Sequence, residues 1–280
     1  GTLTVTAGGT LAGTAGVGNV VVQGGSFSLA AADRLTQLPA VDVGAAGTLA
    51  LGGSQTLGSL AGSGAVLLSS HTLNTGVGGD SGFSGGIAGS GSLVKQGNTT
   101  FTLGGSHSHT GGTTVSAGQL AMGAAHVLPD TGTVQVQTGA TLALAGDDTV
   151  GALALAGTLA GSGTLTAGTY TLSNGNVAAG AALGAGALSS GGNSTLAGTA
   201  AAGTVNITDG SLLLNGANRV AGNPAVTVAS GATLQLAGAQ SVDTLTLAGT
   251  LAGSGHTLTA TTTTLRSEER RVGKECATLC

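Results

Sequence analysis

His107-Ser108-His109 is the segment of this sequence best suited to hold a metal ion. Residues i and i+2 of a strand point to one side, so two imidazoles there could share one ion. Two ligands make a poor site, and no Cys, Asp or Glu lies beside them in sequence. The expected role is therefore a structural turn. Asp147-Asp148 is a second candidate, as paired carboxylates for glycoside chemistry or calcium. A glycosidase holds two carboxylates about 5–9 Å apart across its substrate, and no second one can be named here. The repeat equivalents of the pair are Ser54-Gln55 and Ala239-Gln240, so the position reads as a variable turn. Leu128-Pro129-Asp130-Thr131-Gly132 spells a sortase-like anchoring signal. It lies in mid-chain, and Pro129 reads as the repeat proline shared with Pro39 and Pro224, so the match reads as coincidence. Arg34 and Arg219 sit at similar positions two repeats apart, whereas a polysaccharide lyase needs a local cluster of Asp, Lys and Arg. The Gly-rich stretch 85–91 is followed by no Gly-Lys-Ser/Thr, which a phosphate loop requires. No catalytic residue, cofactor site or metal ligand is assigned, and the chain is not read as an enzyme.

The elements that carry these residues follow from an unusual composition. The 280 residues include 55 glycines, with only 6% charged and 1% aromatic. An average globular chain has about 25% charged residues and about 7% Gly. Disorder is the first alternative for such a chain, but 41% of residues are hydrophobic and they alternate regularly. Composition breaks after Leu265. Residues 266–276 read RSEERRVGKEC, a string similar to the translation of a common sequencing-library adapter, so 266–280 is set aside as a processing scar or unstructured tail. The remaining 1–265 holds three basic residues, Arg34, Lys95 and Arg219, against eight acidic ones, a balance of −5. That excludes a basic nucleic-acid or anionic-lipid surface. Cysteine is absent from 1–265, so disulfides do not staple it.

One long module recurs three times. Residues 47–64 read GTLALGGSQTLGSLAGSG, residues 139–163 GATLALAGDDTVGALALAGTLAGSG, and residues 231–255 GATLQLAGAQSVDTLTLAGTLAGSG. The second and third align without a gap at an offset of 92, and Val41-Asp-Val43, Val134-Gln-Val136 and Val226-Thr-Val228 extend the match upstream. Within a module, runs such as Thr-Leu-Ala-Leu alternate with period two and end in Gly, Asn, Asp or Ser, which predicts short strands between turns. Repetition and small side chains favour a β-solenoid over a sandwich or barrel. Its coils would each take roughly 20–25 residues, about four coils to a module.

Residues 89–118, GSGSLVKQGNTTFTLGGSHSHTGGTTVSAG, resemble the autotransporter-associated β-strand repeat. The matching positions include Gly91, Leu93, Lys95, Gly97, Thr102-Leu103, Gly105 and Gly111-Gly112-Thr113-Thr114-Val115. Phe101 stands where that family usually has Thr, and His109 where it usually has Tyr. The resemblance implies an all-β, right-handed parallel β-helix, exported through the bacterial outer membrane by type V secretion. It implies a surface-exposed or secreted passenger acting as stalk or adhesin in adhesion, aggregation or biofilm, whose parent carries a C-terminal outer-membrane barrel. Expected partners are host or matrix glycans and proteins, or a second copy of the chain. Two alternatives are a two-partner-secreted exoprotein of similar fold and a non-catalytic part of a β-helix enzyme acting on polysaccharide.

Solenoids are normally closed by capping coils, because exposed terminal strands pair with other chains, and no cap is evident at either end of 1–265. Purified 1–265 is therefore expected to self-associate in light scattering. A clean, stable monomer would count against an uncapped solenoid.

Overall fold

The computed structural model describes residues 1–265; the tail reading at 266–280 lies outside the described residues. Among the described residues every regular element is a β-strand, and the strands pair in parallel. The chain is an all-β parallel β-solenoid, as the period-two pattern and the repeats predict. Its described residues group into two compact units, 1–150 and 151–265.

In the first unit each coil turns through three faces. The first face stacks Thr2–Val5, the start of Asn19–Leu29, the start of Ala40–Leu51, Ser59–Gly62, Ser81–Phe83, Thr100–Leu103, Gln119–Met122 and Thr141–Leu144. The second stacks Gly9–Leu11, the later parts of the same two long strands, Ala65–Ser69, Gly86–Gly89 and Ser108–His109. The third stacks Gln55–Thr56, Thr72–Thr75, Ser92–Lys95, Thr113–Val115 and Thr133–Val136. Coil length varies: Leu49 lies on Val66, 17 residues on, and Leu120 on Leu142, 22 residues on. The longer coils fall within the roughly 20–25 residues expected from sequence and the shorter ones below it, so a 92-residue module takes somewhat more than four of them.

Alternation decides which side chains enter the core. In Ser92–Lys95 the second and fourth residues are buried, and in Thr141–Leu144 the two leucines are. Parallel register then places each inward residue on its counterpart one coil away. Val20 meets Val41, Phe101 meets Leu120, and Leu120 meets Leu142. All five are at most 1% exposed. Small side chains suit a coil whose opposite walls are this close, which is why 1% aromatic content is enough.

The second unit repeats the plan. One face runs through Thr158–Gly161, Asn176–Val177, Asn193–Leu196, Ser211–Leu214, Thr233–Leu236 and Thr250–Ala252. The long strand Thr164–Ser173 turns a corner, pairing with both Ala182–Leu183 and Ala187–Gly191. The second ladder from that corner continues through Thr204–Ile207, Ala225–Val228, Gln240–Leu247 and Leu258–Leu265. Tyr170 is fully buried at that corner. Its hydroxyl accepts from the Ala167 N–H at 2.7 Å and lies 3.1 Å from the carbonyls of Leu165 and Ala185.

The recurring Leu-Ala-Gly-Ser-Gly ends strands at corners where no side chain fits. Gly62 has φ +104, and a Cβ there would lie 2.1 Å from the Val43 carbonyl oxygen. A Cβ on Gly64 would lie 2.3 Å from the Gly44 carbonyl oxygen. In this first copy the motif records backbone crowding between coils, and Gly62 and Gly64 are fixed by sterics.

Candidate functional site

The two histidines point inward together: His109 ends the short strand Ser108–His109 and His107 directly precedes it. His107 is 5% exposed and His109 is fully buried, with ring centroids 6.4 Å apart. Each ring commits one nitrogen to the fold. The Ile87 N–H donates to Nδ1 of His107 at 3.0 Å, and Nε2 of His109 lies 2.9 Å from the Thr113 hydroxyl. Nε2 of His107 and Nδ1 of His109 make no hydrogen bond. Burial pushes the pKa of each ring down to about 4, and for His107 the neighbouring His109 adds to the effect while the Gly104 carbonyl opposes it. Among the described residues no three His, Cys, Asp or Glu side chains gather as a metal cluster. The arrangement is a neutral buried pair that bonds one coil to the next through Ile87.

Lys95 has a structural task that its sequence position did not reveal. It is fully buried, in line with Thr75 and Val115 of the adjoining coils. Its ammonium donates to the carbonyls of Gln96 at 2.7 Å, Gly97 at 2.9 Å and Ala117 at 3.2 Å. Burial lowers its pKa, and the charge of Asp80 works in the opposite direction. Three donors meet three carbonyls, so the cation is internally satisfied and ties one turn to the turn of the next coil.

The variable-turn reading of Asp147-Asp148 holds for the first residue and fails for the second. Gln55, Asp148 and Gln240 are buried, at most 2% exposed. Each points an oxygen at backbone N–H groups of the loop one coil earlier. Gln55 Oε1 accepts from Leu35 at 3.4 Å. Asp148 Oδ2 accepts from Val127 and Leu128 at 3.0 and 3.1 Å, and its Oδ1 from Thr149 at 2.8 Å. Gln240 Oε1 accepts from Arg219 at 2.8 Å and Val220 at 3.4 Å. The backbone repeats beside them: Asp33, His126 and Asn218, all at φ 51–55°, donate their N–H to the carbonyls of Ser54, Asp147 and Ala239. What recurs is a buried acceptor, supplied by an amide twice and a carboxylate once. Sequence comparison by residue type hides that equivalence. Burial raises the pKa of Asp148 against the lowering effect of its three N–H donors and of His126.

The same loops show what Arg34 and Arg219 do. Arg34 donates to the carbonyls of Ala32 and Ala12, and Arg219 to those of Ala217 and Ala197. Each guanidinium clamps its loop to the coil below. Val127 takes that position in the middle module, and no clamp forms there. Pro129 is also not the counterpart of Pro39 and Pro224. Those two precede Val41 and Val226 by two residues, whereas Pro129 precedes Val134 by five. By the loop register Pro129 instead matches Thr36 and Ala221, whose N–H groups bond the carbonyls of Ala15 and Ala200 below. Proline has no N–H to give. The bridges Ala15–Leu35 and Ala200–Val220 thus have no partner bridge at Leu128 among the described residues. A cleft of about 410 Å³ opens between the 106–110 segment and the 126–131 loop, lined among others by Ser106, Ser108, His126 and Asp130. The sortase-like pentapeptide forms its upper wall, with Leu128 and Pro129 buried and the Gly132 N–H bonded to the Pro129 carbonyl at 3.0 Å.

The parallel coils and their interior braces define a repetitive parallel β-solenoid. Residues 93–122, Lys95 included, match the family model described as passenger-associated-transport-repeat. No curated protein and no solved structure matches the chain.

Two measurements test these assignments. The folded pKa of the His pair lies near 4, below the usual 6.5. Folding therefore excludes protons between those values, and the stability from the neutral pair is complete above the usual value and lost as pH falls toward 4. The urea midpoint should drop across this window, and His109→Leu should flatten the drop; an unchanged slope would sink the assignment. For Asp148 the sign is opposite. A raised carboxyl pKa means that folded-state stability falls as pH rises from the ordinary value of 3.8 through the folded one. Asp148→Asn, which copies the amide acceptors of Gln55 and Gln240, should gain on the parent as pH rises from 4 to 7. Asp148→Ala should lose about 1–3 kcal/mol by orphaning buried N–H groups. Equal losses for Asn and Ala would show that the acceptor oxygen is not what matters.

Proposed function

We propose that this chain is part of a bacterial autotransporter passenger, a non-catalytic stalk or adhesive segment displayed at the cell surface. The observation that carries the reading is the passenger-repeat match at 93–122, set within coils that all follow one parallel plan. A passenger repeat implies a secreted or surface location. Anchorage through an outer-membrane barrel of the parent, and a part in adhesion, aggregation or biofilm, extend that reading.

The physics suits the task. Parallel coils bury their own hydrophobic residues, and residues 1–265 hold no cysteine. Each coil can form on the one before it, which fits a chain that emerges from a membrane pore in sequence and folds outside. The outward positions carry Thr, Ser, Gly and Asn, which offer hydrogen bonds to glycans or to a neighbouring copy.

Surface display tests the reading. The chain is fused ahead of a heterologous autotransporter barrel behind an export signal and expressed in a Gram-negative host. Added protease should remove it from intact cells, and displaying cells should settle or adhere more than cells carrying the barrel alone. Retention of the folded chain in the periplasm would refute the passenger reading. Display without any change in adherence would refute the adhesive role.

A further inference from the structure

Asn-Gly occurs twice in this chain, at Asn174-Gly175 and Asn215-Gly216. The dipeptide is chemically labile. The backbone nitrogen of the glycine can attack the asparagine Cγ, and glycine has no Cβ to hinder the approach. Both copies directly follow a strand of the second unit, Thr164–Ser173 or Ser211–Leu214, and the fold treats them differently.

Asn174 is held at the groups the reaction would move. Its N–H donates to the Gly191 carbonyl at 3.3 Å, and its Oδ1 accepts from the Asn193 N–H at 2.9 Å. The Gly175 nitrogen would be the nucleophile, and its N–H donates to the Ser194 hydroxyl at 3.2 Å. Gly175 and Ser194 are both buried.

Asn215 is exposed, and among the described residues its side chain has no hydrogen-bond partner. The Gly216 N–H bonds only within a three-residue turn, to the Leu214 carbonyl at 3.0 Å. The Arg219 guanidinium lies against Gly216: a Cβ there would stand 3.1 Å from Arg219 Nε. A cation so placed favours the anionic form of the attacking amide and the negative charge that develops during attack.

We propose that Asn215-Gly216 is a site of spontaneous deamidation, and that the fold protects Asn174-Gly175 from the same reaction. The Gly216 nitrogen gives up its proton and bonds to Asn215 Cγ. The Cγ–Nδ2 bond breaks, and ammonia leaves carrying a proton in place of the one lost. Water then opens the succinimide at either carbonyl, giving aspartate or isoaspartate. Isoaspartate routes the main chain through Cγ and so inserts a methylene just before Gly216. The Gly216 carbonyl accepts from Nε2 of the buried Gln240, whose Oε1 accepts from the Arg219 and Val220 N–H groups. Deamidation thus acts on the third-module loop at its buried fastening and loosens it with age. The inference rests on local geometry and does not depend on the passenger reading.

The test incubates the full chain at mildly alkaline pH and follows both sites by peptide mapping with mass spectrometry. Asn215 should exchange NH2 for OH, giving two chromatographic isomers, roughly tenfold or more faster than Asn174, which must first break two hydrogen bonds. In urea the two rates should converge. Ser194→Ala, which removes the acceptor of the Gly175 N–H, should speed the reaction at Asn174 alone. Amide hydrogen exchange at Arg219 and Val220 should quicken in the isoaspartate fraction, and aged Asn215→Gln should show neither change. Equal rates in the folded chain, or the same difference persisting in urea, would overturn the protection. A folded chain that keeps Asn215 intact while the urea-unfolded chain reacts would overturn the site, and unaltered exchange in the isoaspartate fraction would overturn the loosening.

Discussion

Each coil of this protein is held by the parallel hydrogen bonds it makes to the coil before it, and nearly everything else is a consequence of that ladder. In-register pairing puts like on like, so Val41 lies on Val20 and Leu214 on Leu196. The interior is then a set of columns, and a residue's neighbours are set by chain length per coil. Local changes of coil length, from 17 to 22 residues, are absorbed at corners without disturbing the columns.

The corners are where polar chemistry enters. A loop that leaves the ladder loses its backbone partners, and those donors and acceptors must be met some other way. This chain meets them from within. Lys95 satisfies three carbonyls, the Tyr170 hydroxyl serves the backbone at its corner, and Gln55, Asp148 and Gln240 serve three equivalent loops. Buried polar groups that elsewhere would suggest catalysis are here the fastenings of the coil. Asp148 shows the difference plainly. Its carboxylate is buried and its pKa is raised, yet it accepts from the backbone N–H groups of Val127, Leu128 and Thr149, all of its own structure.

The fastenings are not uniform from module to module. Val127 and Pro129 leave one loop of three without the arginine clamp and the backbone bridge, and a cleft lined in part by Pro129 lies beside it. A repetitive scaffold gains a distinct feature in this way without new elements, because the neighbouring coils keep the rest of the loop in place. The passenger-repeat segment, 93–122, ends just before that loop. The repeat supplies the coil on which the cleft is floored, and the loop supplies its roof.

The sequence by itself determined the fold class, the inward face of most strands and the resemblance of residues 93–122 to a passenger repeat. Period-two alternation and a repeated module carry that information locally, as in Thr-Leu-Ala-Leu, and it needs no knowledge of long-range contacts. It also placed His107 and His109 on one face. Tertiary structure alone decided what the polar residues do. That Asp148 equals Gln55 and Gln240 is invisible by residue type, because the shared property is an oxygen aimed at a loop about 20 residues away. That Pro129 is not the counterpart of Pro39 emerges from register, since three prolines in similar order look equivalent until their loops are overlaid. Coil length and the cleft were settled there too, because both depend on how corners pack across coils, where contact is made between residues that the sequence keeps apart.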